Sequence, residues 1–354
     1  MKHYVITKNM KNLLFIAIAA VVALTSCNSS PKLSGAGATF PAPYYNLVFK
    51  KFTEVSGNNV TYGAVGSGGG IRSLKDKTVD FGATDVFLSD AELKEMGSDV
   101  VHIPTALGAV VVSYNLPDVK GLKLNASLIS DMYRGVITNW NDEKIKALNP
   151  DLNLPDQAIT PVYRSDGSGT TSVFSEYMSK VDSVWNKELG TGKSLKFPKG
   201  VAAKGNPGVA GVVKETVGSI GYIGSEYALA LSIPTALLQN SSGNFVEAND
   251  KSISASAETD IPDDTRLIIT NSNNPQAYPI STFTWIIVYK EQDYNKRTEE
   301  QAKSLVSLLK FIISKDGQDL AVKTHYAPLS AKAVEKTQAI INSITFNGQA
   351  LANN

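Results

Sequence analysis

The ten residues STFTWIIVYK, Ser281 to Lys290, are rich in β-branched and aromatic side chains and contain no breaker, the composition of a buried β-strand. A second strong run, GAVVVSY at Gly108–Tyr114, lies far upstream. Between the two sits a further α/β set: a strand ahead of Arg164, a helix from about Thr171 to Val181, and GSIGYIG at Gly218–Gly224. Two distant strands that bracket an inserted domain predict two lobes joined by two crossovers, the construction of hinge-closing proteins. The expected division is 33–108 with 281–354 as one lobe and 109–280 as the other.

Outward from these strands the pattern stays α/β. Tyr44, Val48, Phe52 and Val55 share one helical face, and Val60, Tyr62 and Ala64 alternate like a strand. Val79–Ala83 (VDFGA) reads as another strand, and Ser89 with Glu92 forms a capping box that opens a helix. The clearest helix near the end runs from Glu299 to Ser314. Ser241–Asn274 is polar and rich in Ser, Asn and Asp; it reads as loops with weak structure and little function.

The first residues are read apart from the fold. Lys2, Lys8 and Lys11 form a positive n-region, Leu13–Leu24 is an unbroken apolar run, and LTSC follows at Leu24–Cys27. The run is short for a membrane span and suits a signal peptide. A small-residue cleavage signal ending on cysteine is the lipobox pattern. Residues 1–26 are therefore expected to be a lipoprotein signal, and Cys27 the lipidated residue, palmitate among its acyl chains. Residues 27–32 (Asn28–Lys32 is NSSPK) would be a lipid-anchored tether to the bilayer, placing the body in the cell envelope on the periplasmic, extracytoplasmic side. Cys27 is the only cysteine among 354 residues, so the fold depends on its core without disulfides. Removing the three lysines of the signal lowers the 34 basic residues to 31 against 33 acidic ones, a net charge of about −2. With no basic block, nucleic-acid binding is excluded.

Four turns rich in glycine or hydroxyls carry the chemistry: GAGATFPAP (Gly35–Pro43), VGSGGG (Val65–Gly70), FGATD (Phe81–Asp85) and RSDGSGT (Arg164–Thr170). Three directly precede a helical pattern. A helix N-terminus presents unpaired N–H groups and the positive end of its dipole, which suits an anion. A nucleotide fits poorly. No loop ends in GK[ST], and Phe40 stands where a dinucleotide fingerprint needs its third glycine. Ser67 and Ser168 lie in G-S-G triplets, outside the nucleophile-elbow pattern. His102 and His325 lie near no recognisable partner, and no His/Cys/Asp cluster has metal-ligand spacing. The chain reads as a non-enzyme with no cofactor and no metal.

A free oxyanion fits the residue types better. Arg164 can grip two oxygens bidentately. An aspartate in such a site repels a fully ionised ligand and becomes favourable only when the ligand has a proton to donate. Phosphate near neutral pH carries one and sulfate does not. Asp85 can therefore accept a phosphate O–H and disfavour sulfate, while Asp166 can orient Arg164.

GAGATFPAP, VDFGATD and RSDGSGT, in this order and at these separations, resemble the periplasmic phosphate-binding proteins of phosphate ABC transporters, the PstS type. GVITNWND (Gly135–Asp142), GSIGYIG and THYAPLS (Thr324–Ser330) are similar to family sequence as well, so the likeness spans Leu33 to Leu329. The resemblance implies a two-lobed type II periplasmic binding-protein fold with two hinge crossovers. It also implies a monomer that binds dehydrated inorganic phosphate with high affinity between its lobes. The phosphate would then pass to the permease and ATPase subunits of an importer. Carried over residue by residue, the binding set is Thr39, the Phe40 N–H, Ser67, Asp85, Arg164, Asp166, Ser168, Gly169 and Thr170. One departure is Gly68, where the family often has a serine. The alternatives are a binding protein for sulfate, molybdate or a similar oxyanion, a phosphate-releasing enzyme, and a phosphate sensor without transport.

Overall fold

A computed structural model of the protein describes residues 32–351. The expected signal peptide, Cys27 and the tether as far as Pro31 lie outside the described residues, while Lys32 already belongs to the first strand. The described chain opens with β1 (Lys32–Gly37), α1 (Ala42–Ser56), β2 (Asn59–Ala64), α2 (Ser67–Lys75), β3 (Phe81–Thr84) and α3 (Asp90–Glu95). It continues through β4 (Val100–Tyr114), β5 (Lys123–Leu124), α4 (Ala126–Tyr133), α5 (Glu143–Leu148), β6 (Thr160–Arg164), α6 (Gly169–Val181) and α7 (Ser183–Glu188). Next come β7 (Val201–Ala203), α8 (Gly205–Glu215), β8 (Ser219–Gly224), α9 (Ser225–Leu231), β9 (Leu237–Gln239), β10 (Phe245–Val246) and α10 (Asp250–Ser256). Last are β11 (Ser281–Tyr289), α11 (Glu299–Ile313), α12 (Lys315–Lys323), α13 (Ala331–Asn342) and a hairpin of β12 (Thr345–Phe346) with β13 (Gln349–Ala350).

The main sheet has the order β2-β1-β3-β11-β4-β8-β6-β7. β4 is its spine. Its first part, Val100–Ala109, pairs antiparallel with β11, and its last part, Val110–Tyr114, pairs antiparallel with β8. One strand thus belongs to both sheet halves, and the partner changes between adjacent residues. On either side of the spine the strands run parallel: β1 with β2 and β3, and β6 with β7 and β8. In open α/β sheets of this kind ligands sit beyond the carboxyl ends of the strands. Here those ends carry the turns 38–41, 65–66, 85–89, 165–168 and 204.

Aromatic packing fastens the helices to the sheet. Tyr45, Phe49, Tyr62 and Phe81 form one cluster under α1, with Tyr45 and Phe49 stacked at 5.0 Å. In the other half Phe174 of α6 stacks on Tyr222 of β8 at 4.3 Å, within a group that includes Tyr133 and Trp185. Such pairs add roughly 0.5–1.5 kcal/mol beyond their buried area.

The structure departs from the sequence reading in several places. Val55 is 60% exposed, whereas Tyr44, Tyr45, Val48, Phe49 and Phe52 are buried. The buried stripe of α1 therefore ends a turn before the helix does. β3 starts at Phe81 rather than Val79, because the Asp80 carboxylate turns aside to accept the Ser34 N–H at 2.6 Å. Ser241–Asn274 is not weakly structured throughout. It contains α10 with its Asn249–Ser252 capping box, and Ile253, Ile261 and Ile269 are buried. Thr265 donates to the His102 carbonyl at 2.9 Å, and the Trp285 indole donates to the Thr265 carbonyl at 3.2 Å. Its polar composition concealed these because Ser and Asn serve there as caps and turn formers. No helix among the described residues is long and apolar enough to cross a membrane.

Candidate anion-binding site

Each loop singled out in the sequence stands at a strand end, and three begin helices. Thr39 and Phe40 lie between β1 and α1; Gly66 caps α2, which opens with Ser67; Ser168 caps α6, its Oγ accepting the Thr171 N–H at 3.0 Å. The first turn of α6 leaves the N–H groups of Gly169 and Thr170 outside the helical ladder, available to an acceptor in front of it. Thr39, Phe40, Ser67, Asp85, Arg164, Ser168 and Thr170 are all buried, Asp85 being 2% exposed.

Arg164 closes β6. Its Nε donates to Asp166 Oδ1 at 2.8 Å and its Nη2 to Asp166 Oδ2 at 2.6 Å, a two-point pair that fixes the guanidinium plane. The remaining edge points towards Thr170, with Nη1 3.4 Å from Oγ1. Asp166 Oδ1 also accepts the Gly205 N–H at 3.0 Å. Burial acts to raise the Asp166 pKa, but the Arg164 hydrogen bonds and charge outweigh it and hold the carboxyl below its usual range. Tyr222 ties this loop to the sheet, its hydroxyl accepting the Arg164 N–H at 3.3 Å and lying 2.9 Å from Thr171 Oγ1.

Asp85 follows β3. Thr284 of β11 donates to its Oδ1 at 2.9 Å, and Ser67 Oγ lies 3.4 Å from its Oδ2. Burial pushes its pKa up to about 7, against the lowering effects of Thr284, Arg164 and Ser67. In its ionised form this carboxylate offers only acceptors to whatever faces it.

The two halves of the site meet. The Gly68 N–H donates to the Gly167 carbonyl at 2.9 Å, and Lys193 pairs with Glu92. Gly66 has φ +93°, a region costly for other residues. Gly169 lies so close to the opposite loop that an added Cβ would meet Ser67 Oγ and would stand 2.7 Å from Asp85 Oδ2 and 2.9 Å from Asp85 Cβ. Gly169→Ala is accordingly expected to hold the loops apart at a cost of about 1–3 kcal/mol, the usual scale of overpacking. Ligand affinity should fall roughly tenfold to a hundredfold. Unchanged affinity in titration calorimetry would show that the loops need not come this close.

Of the nine residues expected from the sequence, the structure brings every one into this cluster. Sequence reasoning missed four others. Asn206, completely buried, bonds to both Thr39 and Thr170. Thr284 holds Asp85, and the Tyr227 and Tyr326 hydroxyls donate to the Thr39 and Phe40 carbonyls, each at 2.5 Å. A signal for Asn206 was present: KGNPG (Lys204–Gly208) is a fifth glycine-bearing stretch, and it forms the cap and first turn of α8.

Parallel strands delivering anion-type loops from two sheet halves that share β4 define a two-lobed binding protein. The family model for the PBP superfamily domain matches residues 24–316. Phosphate-binding protein PstS of Xylella fastidiosa (strain 9a5c) is 38% identical over 315 residues, 88% of this chain and 85% of its own. The protein of that name from Haemophilus influenzae is 36% identical over 307 residues, 85% of this chain and 90% of its own. The chain belongs to the PstS family of phosphate-binding proteins. Among solved structures, the periplasmic phosphate-binding protein PfluDING, bound with phosphate, superposes with a TM-score of 0.72 at 20% identity, covering 91% of this chain and 98% of that one. A phosphate-binding protein from Stenotrophomonas maltophilia gives 0.68 at 18% identity, covering 88% and 94%. These two likenesses bear on the fold, which is that of the two-lobed periplasmic binding proteins.

Proposed function

We propose that the protein binds inorganic phosphate with high affinity between its lobes and delivers it to an ABC-type phosphate importer. The observation that carries this reading is the pairing of one oriented guanidinium with one buried, weakly partnered carboxyl, Asp85, amid hydroxyl and N–H donors. Thr39, the Phe40 N–H, Ser67, Ser168, Gly169 and Thr170 donate to phosphate oxygens. Arg164, oriented by Asp166, supplies the positive charge, and Asp85 accepts the O–H of the phosphate. The lobes are 33–108 with 281–354, and 109–280; the change of β4 partners at Ala109/Val110 and the start of β11 at Ser281 support that division.

The protein carries out no catalysis in this reading. Ser67 bonds to Asp85 and Ser168 caps a helix, while His102 accepts the Leu88 N–H at 3.0 Å, inside the fold. Asp85 beside Ser67 is read as the acceptor of the ligand's proton and not as the base of a nucleophile, and Ser168 Oγ is engaged as a helix cap. Cys27, after cleavage of the signal, anchors a monomeric body by lipid to the membrane, facing the periplasmic side. The closed, liganded form is what the permease and ATPase subunits engage.

The test is titration calorimetry on the soluble chain beginning at Asn28, stripped of ligand by unfolding and refolding, with phosphate and sulfate compared at several pH values. Tight phosphate binding with sulfate silent at pH 8 is expected. Equal binding of both anions there would reject Asp85 as a filter, and binding of neither would reject the ligand. The pH dependence has a definite sign. Below about pH 7 Asp85 becomes protonated in the unliganded site and turns from acceptor into donor. Sulfate affinity should therefore rise about tenfold between pH 8 and pH 6, following the protonated fraction.

A further inference from the structure

Asn206 begins the second position of α8 and makes four hydrogen bonds. Its backbone N–H donates to Thr39 Oγ1 at 3.0 Å, its Nδ2 donates to Thr39 Oγ1 at 2.9 Å and to Thr170 Oγ1 at 3.0 Å, and its Oδ1 accepts the Gly224 N–H at 2.9 Å. The last bond settles which way the amide faces. A backbone N–H needs an acceptor, so the carbonyl oxygen lies towards Gly224 and both amide hydrogens lie towards the threonines.

A threonine hydroxyl has one proton and two lone pairs. Both lone pairs of Thr39 Oγ1 are taken by Asn206, and Thr170 Oγ1 receives Asn206 and, more distantly, Arg164 Nη1. Each hydroxyl is left with its proton as the only unused valence. We propose that Asn206 is a positioning residue that fixes the Thr39 and Thr170 hydroxyls as donors towards the bound anion, and does so only when the lobes meet. The second half of that statement follows from chain position. Asn206 and Thr170 stand on the β6–β7 side of the sheet, whereas Thr39 stands at the end of β1. Separating the halves removes both of Thr39's donors, and its hydroxyl is then free to turn. The donor arrangement is thus a product of closure, and the inference rests on the phosphate reading of the site.

The experiment is a double-mutant cycle read by titration calorimetry with inorganic phosphate on the soluble chain from Asn28. Asn206→Ala is measured in the native background and in a Thr39→Val/Thr170→Val background, with thermal unfolding of each variant as a check of folding. In the native background the substitution should weaken phosphate binding about tenfold to a hundredfold, the range for hydrogen bonds to a charged partner. With no hydroxyls to orient, the further loss should be less than about threefold, a coupling that a purely structural role does not produce. If Asn206→Ala shows no cooperative unfolding, Asn206→Asp takes its place. It preserves the side-chain shape and an acceptor for Gly224, but offers oxygen where the amide offered hydrogen. It should cost at least tenfold more with the hydroxyls present than without them. Equal losses in the two backgrounds, or native affinity in the single variant, would overturn the inference and leave the phosphate reading intact. A native chain that binds no phosphate would overturn both.

Discussion

Arg164→Ala is expected to abolish phosphate binding at micromolar concentrations while leaving the protein folded. The guanidinium is buried and holds Asp166 by two hydrogen bonds, the shorter 2.6 Å. Its removal takes the positive charge from the site and leaves the Asp166 carboxylate with only the Gly205 N–H among the bonds described above. Removing one partner of a desolvated charge pair with the bound anion costs about 2–5 kcal/mol, on the order of thirty- to several-thousand-fold in Kd. The freed carboxylate adds repulsion towards any anion at the same place. Arg164→Lys should recover part of the loss, since it restores charge without the two-point geometry. Calorimetry on the three proteins decides the matter. Wild-type affinity in the alanine variant would reduce Arg164 to a structural partner of Asp166.

Asp85→Asn should change selectivity more than affinity. Ionised Asp85 offers only acceptors, so it rewards a ligand with a proton and repels one without; the carboxamide both donates and accepts. Placing like charges together in a desolvated site costs several kcal/mol, so relief of that repulsion should improve sulfate binding relative to phosphate by roughly a hundredfold or more. Thr284 and Ser67 can still bond to the amide, which keeps the local fold in place. The variant should also lose the pH dependence of sulfate binding, because no group remains at position 85 to titrate near pH 7. An equal change in affinity for both anions would show that Asp85 acts on charge in general and does not sense the ligand's proton. The two substitutions are thus complementary: one removes attraction for every oxyanion, the other removes the means of choosing between them.

Much of this site was legible before any tertiary structure, and the reason is local. A turn of Gly, Ser and Thr ahead of an amphipathic run specifies a helix start within about a dozen residues. The structure places Ser67, Ser168, Gly169 and Thr170 at such starts, and confirms the Ser89–Glu92 capping box. The β-runs at Gly108–Tyr114 and Ser281–Lys290 were equally plain, because buried strands demand β-branched and aromatic residues. Strand ends were less plain. β4 begins at Val100, well before the run that announced it, since Pro104 and Gly108 break the apolar signal without breaking the pairing with β11.

What the chain alone determined, then, was the kit of donors, the carboxylate proposed to make the site selective, and the two runs from which a hinge could be inferred. Tertiary structure decided who holds whom. Thr284 reaches Asp85 across 199 residues of chain, Asn206 reaches Thr39 across 167, and the Gly68 N–H meets Gly167 from the opposite loop. A motif can mark one of these residues but not the partner it meets, because each contact depends on strand order in the sheet and not on neighbouring residues. The same holds for the proton affinity of Asp85. An aspartate in a loop has an ordinary pKa, and only burial in the folded chain raises it to about 7.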